Sequence, residues 1–243
     1  MTRLLNGIVA FGSVLLLAVT LIGAGFAAVA IPDAATATLS RALSGCDQPK
    51  TPFTADELAS MAIAGKHYTF DDNDREKLDA AIAKANAATE ANGRTNALSR
   101  ESAARTLPAD AISHLDDVYR VASVAKPALV IVAVLCIAGL AHVAVRISRR
   151  ALGCTFMAGG GLVLATFCAL GAWAAIDFDG LFAAFHSLFF QAETWTFPYD
   201  SLLITLYPTA FWMGMGGIWL AVTCGLSILA VLIGFTLGHK QHD

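Results

Sequence analysis

Charge is what this sequence has least of. Only 14% of its 243 residues are Asp, Glu, Lys or Arg, where a soluble domain carries roughly a quarter. The shortage is concentrated: Leu4–Pro32, Pro127–Val145, Ala151–Ile176 and Ser201–His239 contain no charged side chain at all. Each run is long enough for a helix across the hydrocarbon layer, which takes about 20 apolar residues. With 56% hydrophobic residues and a mean hydropathy of +0.62, the composition excludes an ordinary soluble domain. It predicts an all-α polytopic membrane protein with four transmembrane helices and a small extracellular helical cap.

Other absences narrow the chemistry. No Gly-rich phosphate loop, no paired CxxC and no Gly-x-Ser-x-Gly elbow is present. The net charge of -3 and the lack of a basic stripe speak against nucleic acid as a partner. Cys136, Cys154, Cys168 and Cys224 fall in uncharged runs and Cys46 has no companion outside them, so no disulfide framework is expected. Leu43-Ser44-Gly45-Cys46 imitates a lipoprotein cleavage box, but Arg41 and a polar run stand where its apolar core belongs, so the first helix is read as an anchor. No ionisable residue interrupts the middle of a helix, which argues against transport.

What charge there is gathers between the first two helices: Asp33–Lys126 holds 14 of the 19 acidic and 11 of the 16 basic residues. Arg146, Arg149 and Arg150 crowd the connection between helices two and three, and Arg3 and Lys240 mark the termini. The positive-inside rule places these points in the cytoplasm, and Asp33–Lys126 and the loop after Ile176 outside. The expected layout is therefore a first transmembrane helix at 1–32 and a helical cap at 33–107. A histidine-bearing helix running into transmembrane helix two follows at 108–147. The third transmembrane helix spans 151–177, an outer loop 178–208, the fourth helix 209–238 and a cytoplasmic tail 239–243.

Within the cap, Ala35–Lys50 reads as a loose, small and polar ascent. Thr54-Ala55-Asp56-Glu57 is a capping box with Phe53 and Leu58 as its hydrophobic staple, opening a short helix through Ala64. His67 is expected on the surface between that helix and the next, which Asp71–Asp74 open and Asn92-Gly93 close. From Pro108, Ile112, Leu115, Val118, Val121 and Val124 recur at helical spacing. His114 then stands about 15 Å along the helix from Val124. Gly159-Gly160-Gly161 in the third transmembrane helix suggests close helix contact. In the outer loop Asp179 would cap a short helix presenting Phe182, Phe185, His186, Phe189 and Phe190 on one face, with Trp195 and Trp212 in the interfacial belt. Pro208 breaks a run too long for one crossing, so its first part is expected to lie along or dip into the outer boundary.

Two histidines are the candidates for chemistry. His114 has Asp117 three residues on, a carboxylate expected to favour its charged form. His186 sits among phenylalanines, which favours the neutral form. Two groups pushed in opposite directions suit acid–base catalysis. Plainer readings stand beside this: an interfacial His is usually structural, Asp116 and Arg120 form an ordinary i, i+4 ion pair, and the aromatics are mostly belt and core. Ser113, Ser187 and Ser201 leave a Ser–His nucleophile open. Two histidines with Asp117 or Asp200 lack a tight metal-ligand spacing, and His142 in helix two has no matching intramembrane histidine for haem.

His114-x-x-Asp117-Val118 ahead of helix two resembles a motif of the lipoprotein intramolecular transacylase (Lit) family. So does Phe185-His186-x-x-Phe189-Phe190 … Trp195 … Asp200-x-Leu202 … Pro208-x-x-Phe211 ahead of helix four. The four-helix layout, the outward cap and the motif order match as well; the Ala-rich cap from Ala35 to Arg105 matches only in character. The resemblance implies a bacterial cytoplasmic-membrane acyltransferase without cofactor or metal. It would move an acyl chain from the glyceryl sn-2 ester to the α-amino group of the N-terminal cysteine of a diacylglyceryl lipoprotein, giving the lyso form. It further implies His114 and His186 as catalytic, Asp117 and Asp200 as supporting, and Phe185, Phe189, Phe190, Trp195 and Phe211 as substrate-binding. His186 is expected as base and His114 as hydrogen-bond donor to the oxyanion. The partners are the lipoprotein and membrane lipids, with no obligate protein partner. Two other classes stay in view: a membrane redox protein holding haem or quinone through histidines, and a non-enzymatic assembly or binding module using its cap.

Overall fold

The computed structural model describes residues 2–48, 50–96 and 102–239; Lys240 and the rest of the expected tail lie outside them. The described residues are helical, with no strand. In chain order they form α1 (Thr2–Ala30), α2 (Asp33–Leu43), α3 (Ala55–Phe70), α4 (Arg75–Ala91), α5 (Ser102–Arg105) and α6 (Ala109–His142). A π-helical turn (Val143–Ile147) is followed by α7 (Arg149–Ile176), α8 (Phe178–Ser187), α9 (Leu202–Leu206) and α10 (Thr209–His239). Four segments are long and apolar enough to cross a membrane: Thr2–Ala30, Ser102–Ile147, Arg149–Ile176 and Thr209–His239. The protein is thus a multi-pass, all-α membrane protein.

The chain divides into two compact units. One comprises Met1–Val29, Ala125–Asp177 and Gly217–Asp243, and holds most of the uncharged runs. Its helices meet where side chains are small. A Cβ on Gly160 would sit 2.6 Å from the Ser227 carbonyl oxygen and one on Gly159 2.9 Å from Leu17, whereas Gly161 faces open space. Two of the three glycines thus serve close helix contact, the standard way for helices to gain packing in lipid. The Trp219 indole N–H donates to the Ile22 carbonyl at 3.2 Å while its ring meets the edges of Phe26 and Phe167. His142 is within 3.2 Å of the Asn6 amide oxygen, a polar pair between α1 and α6. The Ser148 hydroxyl caps α7 by accepting from Ala151 N–H.

The other unit comprises Ala30–Val124 and Phe178–Gly216. Its core gathers Phe53, Leu58, Met61 and Tyr68 from α3 and the segment before it, Leu78 and Ile82 from α4, Ile112 and Leu115 from α6, and Leu202, Leu203 and Leu206 from α9. The capping box is complete: Thr54 Oγ1 accepts from Glu57 N–H, and a Glu57 carboxylate oxygen accepts from Thr54 N–H at 2.8 Å. Glu57 also takes a forked pair of bonds from Arg94, which lies past the end of α4, so the cap of one helix also anchors the end of the next.

Two local expectations are corrected here. Residues 33–43 are helix, not a loose ascent, because the buried side of α2 is small and polar: Thr36 and Ser40 are buried, and Ser40 and Ser44 share a hydroxyl bond of 2.6 Å. Helix α3 does not stop at Ala64 but runs to Phe70. There the buried Lys66 ammonium donates to the Ile31 carbonyl and Asp33 at 2.7 Å each, and His67 sits in the last turn between Asp33 and Asp71. The Leu43–Cys46 stretch is a structural turn. Gly45 takes a positive φ of 74° and donates its N–H to the Thr205 carbonyl, while Ser44 Oγ donates to the Leu206 carbonyl.

Candidate active site

Both candidate histidines belong to the second unit. His114 lies in the second turn of α6, flanked by Ala111, Ile112 and Leu115, all buried in the core, and only 8% of it is exposed. Helix α6 alone is 34 residues long, about 51 Å at 1.5 Å per residue and well beyond the roughly 30 Å of the hydrocarbon layer. Its charged residues all lie ahead of Pro127, where the uncharged portion Pro127–Val145 begins. His114, with Asp110, Asp116, Asp117 and Arg120 around it, stands outside that portion.

His186 is the penultimate residue of α8. Its Nδ1 is 2.9 Å from the Phe182 carbonyl oxygen one turn back. That oxygen only accepts, so Nδ1 carries the proton and Nε2 keeps its lone pair. After Ser187 the chain curls tightly, with Phe189 and Phe190 N–H both donating to the His186 carbonyl. The single helical face expected from Phe182 to Phe190 therefore ends at His186. Phe189 and Phe190 are placed by the turn, and Asp179 is in the first turn of α8 rather than capping it.

That turn brings the two imidazoles together. Their centroids are 6.2 Å apart with the rings 27° from parallel. Phe190 touches both, at 4.9 Å from His114 and 5.7 Å from His186. Phe182 lies 4.0 Å from His186, Trp195 4.7 Å and Phe185 5.8 Å. Phe197, which sequence reasoning did not single out, closes the His114 side at 5.6 Å. Its alternation with Trp195 across Thr196 was the available signal, since in extended chain residues i and i+2 face the same way. Phe185 and Phe189 are about half exposed. Phe211 is buried under Tyr207 and Trp212 and reaches the site only through the contact of Trp212 with Phe182. Asp200 is exposed in the turn before Ser201, and among the described residues no hydrogen bond joins it to either imidazole.

The electrostatics differ from the sequence expectation in two ways. Asp117 pairs with Arg120 at 2.7 Å, whereas Asp116 accepts from the Tyr68 hydroxyl at 2.5 Å and from Asn73 at 3.4 Å. Burial, reinforced by His186, takes His114 from the ordinary 6.5 down to about 4, and Asp117 opposes this only weakly. Burial lowers His186 as well. Both imidazoles are therefore neutral at pH 7, rather than one charged and one neutral, because desolvation outweighs a carboxylate that already has a guanidinium partner.

Four buried side-chain polar atoms have no hydrogen-bond partner among the described residues, and two of them, His114 Nδ1 and Trp195 Nε1, are in this site. None of the three serines is hydrogen-bonded to an imidazole there. The Ser187 hydroxyl donates to the Ala184 carbonyl, Ser201 caps α9 and Ser113 is exposed. The described residues contain no group of three or more His, Cys, Asp or Glu side chains placed to share an ion. Cavities of about 300 and 480 Å³ lie among α3, α4 and α5, lined by residues such as Tyr68 and Lys77 or Asn86 and Arg105, and neither is lined by His114 or His186.

A helical membrane protein with two neutral imidazoles facing each other in an aromatic cage is the class these observations define. The family model described as lipoprotein intramolecular transacylase Lit matches residues 80–212, more than half of the chain and spanning both histidines; the chain belongs to that family. Its fold is that of the membrane-integral Lit from Bacillus cereus, with a TM-score of 0.75 at 17% identity over 98% of this chain and 97% of the other. Two variants of that protein, with one histidine replaced by arginine or by alanine, align at 16% identity with TM-scores of 0.69. They cover 99% of this chain and 95% or 96% of theirs. No curated protein matches the chain.

Proposed function

We propose that this chain is an intramembrane transacylase. It moves the acyl chain of the glyceryl sn-2 ester of a diacylglyceryl lipoprotein onto the α-amino group of the same N-terminal cysteine. Family membership supports the reaction class, and the facing pair His114–His186 is the observation that carries the mechanism. The arginines at 146, 149 and 150 support an orientation with the histidine-bearing unit at the outer face and both termini in the cytoplasm.

The chemistry needs little from outside. Ester to amide is downhill, and donor and acceptor share one lipid-anchored molecule, so the demand is orientation. His186 Nε2 takes a proton from the α-ammonium. The amine nitrogen then attacks the ester carbonyl carbon, and negative charge collects on the carbonyl oxygen. His114, neutral but still carrying one N–H, donates to that oxygen. Collapse breaks the bond to the glyceryl oxygen, which receives a proton from the His186 imidazolium; the second proton lost by nitrogen leaves to solvent. Phe185 and Phe189 offer exposed ring faces to acyl chains, and Phe190 and Trp195 wall the reacting atoms. Phe211 supports Trp212 from beneath. Asp117 modulates His114 weakly, and Asp200 has no part in these steps.

Replacing His114 or His186 with Ala should cut lyso-form production by roughly 10²–10⁴-fold, as loss of a positioned acid or base does, with membrane insertion intact. Mass spectrometry of a reporter diacylglyceryl lipopeptide reads the product directly. Wild-type yield from either variant would reject the mechanism.

A further inference from the structure

Trp195 keeps its indole N–H buried and without a partner among the described residues although its ring is 4.7 Å from the His186 ring. Tryptophan in a membrane belt ordinarily turns its N–H to a polar partner, and a buried donor without one destabilises the fold. The chain also holds this side chain in place at some expense. The turn Gln191–Thr194 is closed by Thr194 N–H to the Gln191 carbonyl at 3.3 Å, and within it Glu193 takes a φ of +70°, which a residue with a Cβ seldom adopts. The residue two positions later is Trp195. Strained backbone and an unsatisfied donor thus occur together, beside the imidazole that serves as base. Such a pairing points to a group that a ligand completes.

We infer that the Trp195 indole N–H is the second donor to the oxygen that becomes negative, acting with the His114 imidazole as a two-donor oxyanion hole. The other orphaned atom of the site is His114 Nδ1, and both rings border His186, at 4.7 and 6.2 Å. A carbonyl oxygen has two lone pairs to accept with, so it can take one bond from each donor, and the dry aromatic surroundings strengthen both bonds as charge grows. The inference rests on the transacylase reading above, but goes beyond a hydrophobic role for Trp195.

The test deletes the donor and keeps the ring. Trp195→Phe, and in parallel 3-benzothienylalanine at position 195, which replaces N–H by sulfur in an indole-shaped ring, are assayed with the diacylglyceryl lipopeptide. Turnover should fall by roughly 10²–10³-fold, the usual cost of one oxyanion donor, with KM within about two-fold of wild type. The benzothienyl protein should unfold no more easily than wild type, since no partner is lost. Wild-type turnover in the benzothienyl protein, or a change confined to KM, would overturn the assignment and leave Trp195 as a wall. Should Trp195→Phe fold poorly, the isosteric replacement decides. If the wild-type protein itself makes no lyso product, the transacylase reading fails instead, so the two failures are separable.

Discussion

Protonation of His114 should destabilise the protein, by an amount the structure allows to be worked out. Its folded-state pKa is about 4 against an ordinary 6.5, so the unfolded chain takes up this proton before the folded one. The sign follows: the contribution is fully present above pH 6.5 and is lost progressively as pH falls toward 4. At about 1.4 kcal/mol per unit, acidification from pH 7.5 to 4.5 removes about 2.5 kcal/mol through this residue. His114→Leu, an apolar replacement in a site only 8% exposed, lacks that loss. Unfolding titrated with dodecyl sulfate in mixed micelles, followed by near-UV circular dichroism at both pH values, gives the wild-type and variant slopes. Titrations not coupled to His114 cancel in the difference, including that of His67, which Asp33 and Asp71 raise despite its partial burial and which therefore has the opposite sign. The wild type should lose about 2.5 kcal/mol more than His114→Leu. Parallel pH dependence in the two proteins, or a wild type that gains relative to the variant on acidification, would refute the claim that burial dominates at His114.

Asp117→Asn should leave lyso-form turnover within about three-fold of wild type, because the carboxylate is bonded to Arg120 and partly exposed pairs are worth little; abolished turnover in the same mass-spectrometric assay would restore Asp117 as an orienting group. Gly160→Leu should cost about 1–3 kcal/mol or more by overpacking, since its Cβ would meet the Ser227 carbonyl at 2.6 Å, while Gly161→Leu, facing open space, should be nearly neutral. Thermal unfolding in detergent with monomer recovery by size exclusion distinguishes them, and equal behaviour of the two would contradict the helix contact.

The crossing helices were legible because an uncharged run is a one-dimensional signal: hydrocarbon thickness translates directly into residue number. The capping box at Thr54 was legible for a similar reason, since all its partners lie within four positions. Helix α2 was not. Its buried face is Thr36 and Ser40, hydrogen-bonded rather than greasy, and a polar buried face imitates a loop. The division of labour between Asp116 and Asp117 was inverted because it depends on Tyr68, far away in sequence, claiming Asp116 and leaving Asp117 for Arg120. The wall formed by Phe190 came from a turn after His186 that helical periodicity continues straight through. The charge state of His114 failed for the same cause: a neighbouring carboxylate is visible in the sequence, whereas the depth of burial that outweighs it is not.

The neutrality of both imidazoles suits the proposed substrate better than the opposed pair first expected. A lipoprotein α-amine arrives as a cation. An imidazolium at His114 would put a like charge beside it in a site walled by phenylalanine and tryptophan, where screening is weak. With both rings neutral, the only charge the proposed substrate would bring into the cage is the ammonium, and the proposed first proton transfer would move that charge onto His186 without creating another. Attack by the freed amine would then create positive charge on nitrogen and negative charge on the ester oxygen together, and in the proposed mechanism the nearby imidazolium would further offset the negative charge. An uncharged His114 is a weaker donor than an imidazolium, but neutral imidazole is a known device for polarising a carbonyl. Its shortfall is what a second donor would make up, and the unpaired indole N–H of Trp195 borders the same base. The aromatic cage therefore sets the protonation states of both histidines, and if it also holds acyl chains as proposed, enlarging it should alter the pH dependence of turnover along with chain-length preference.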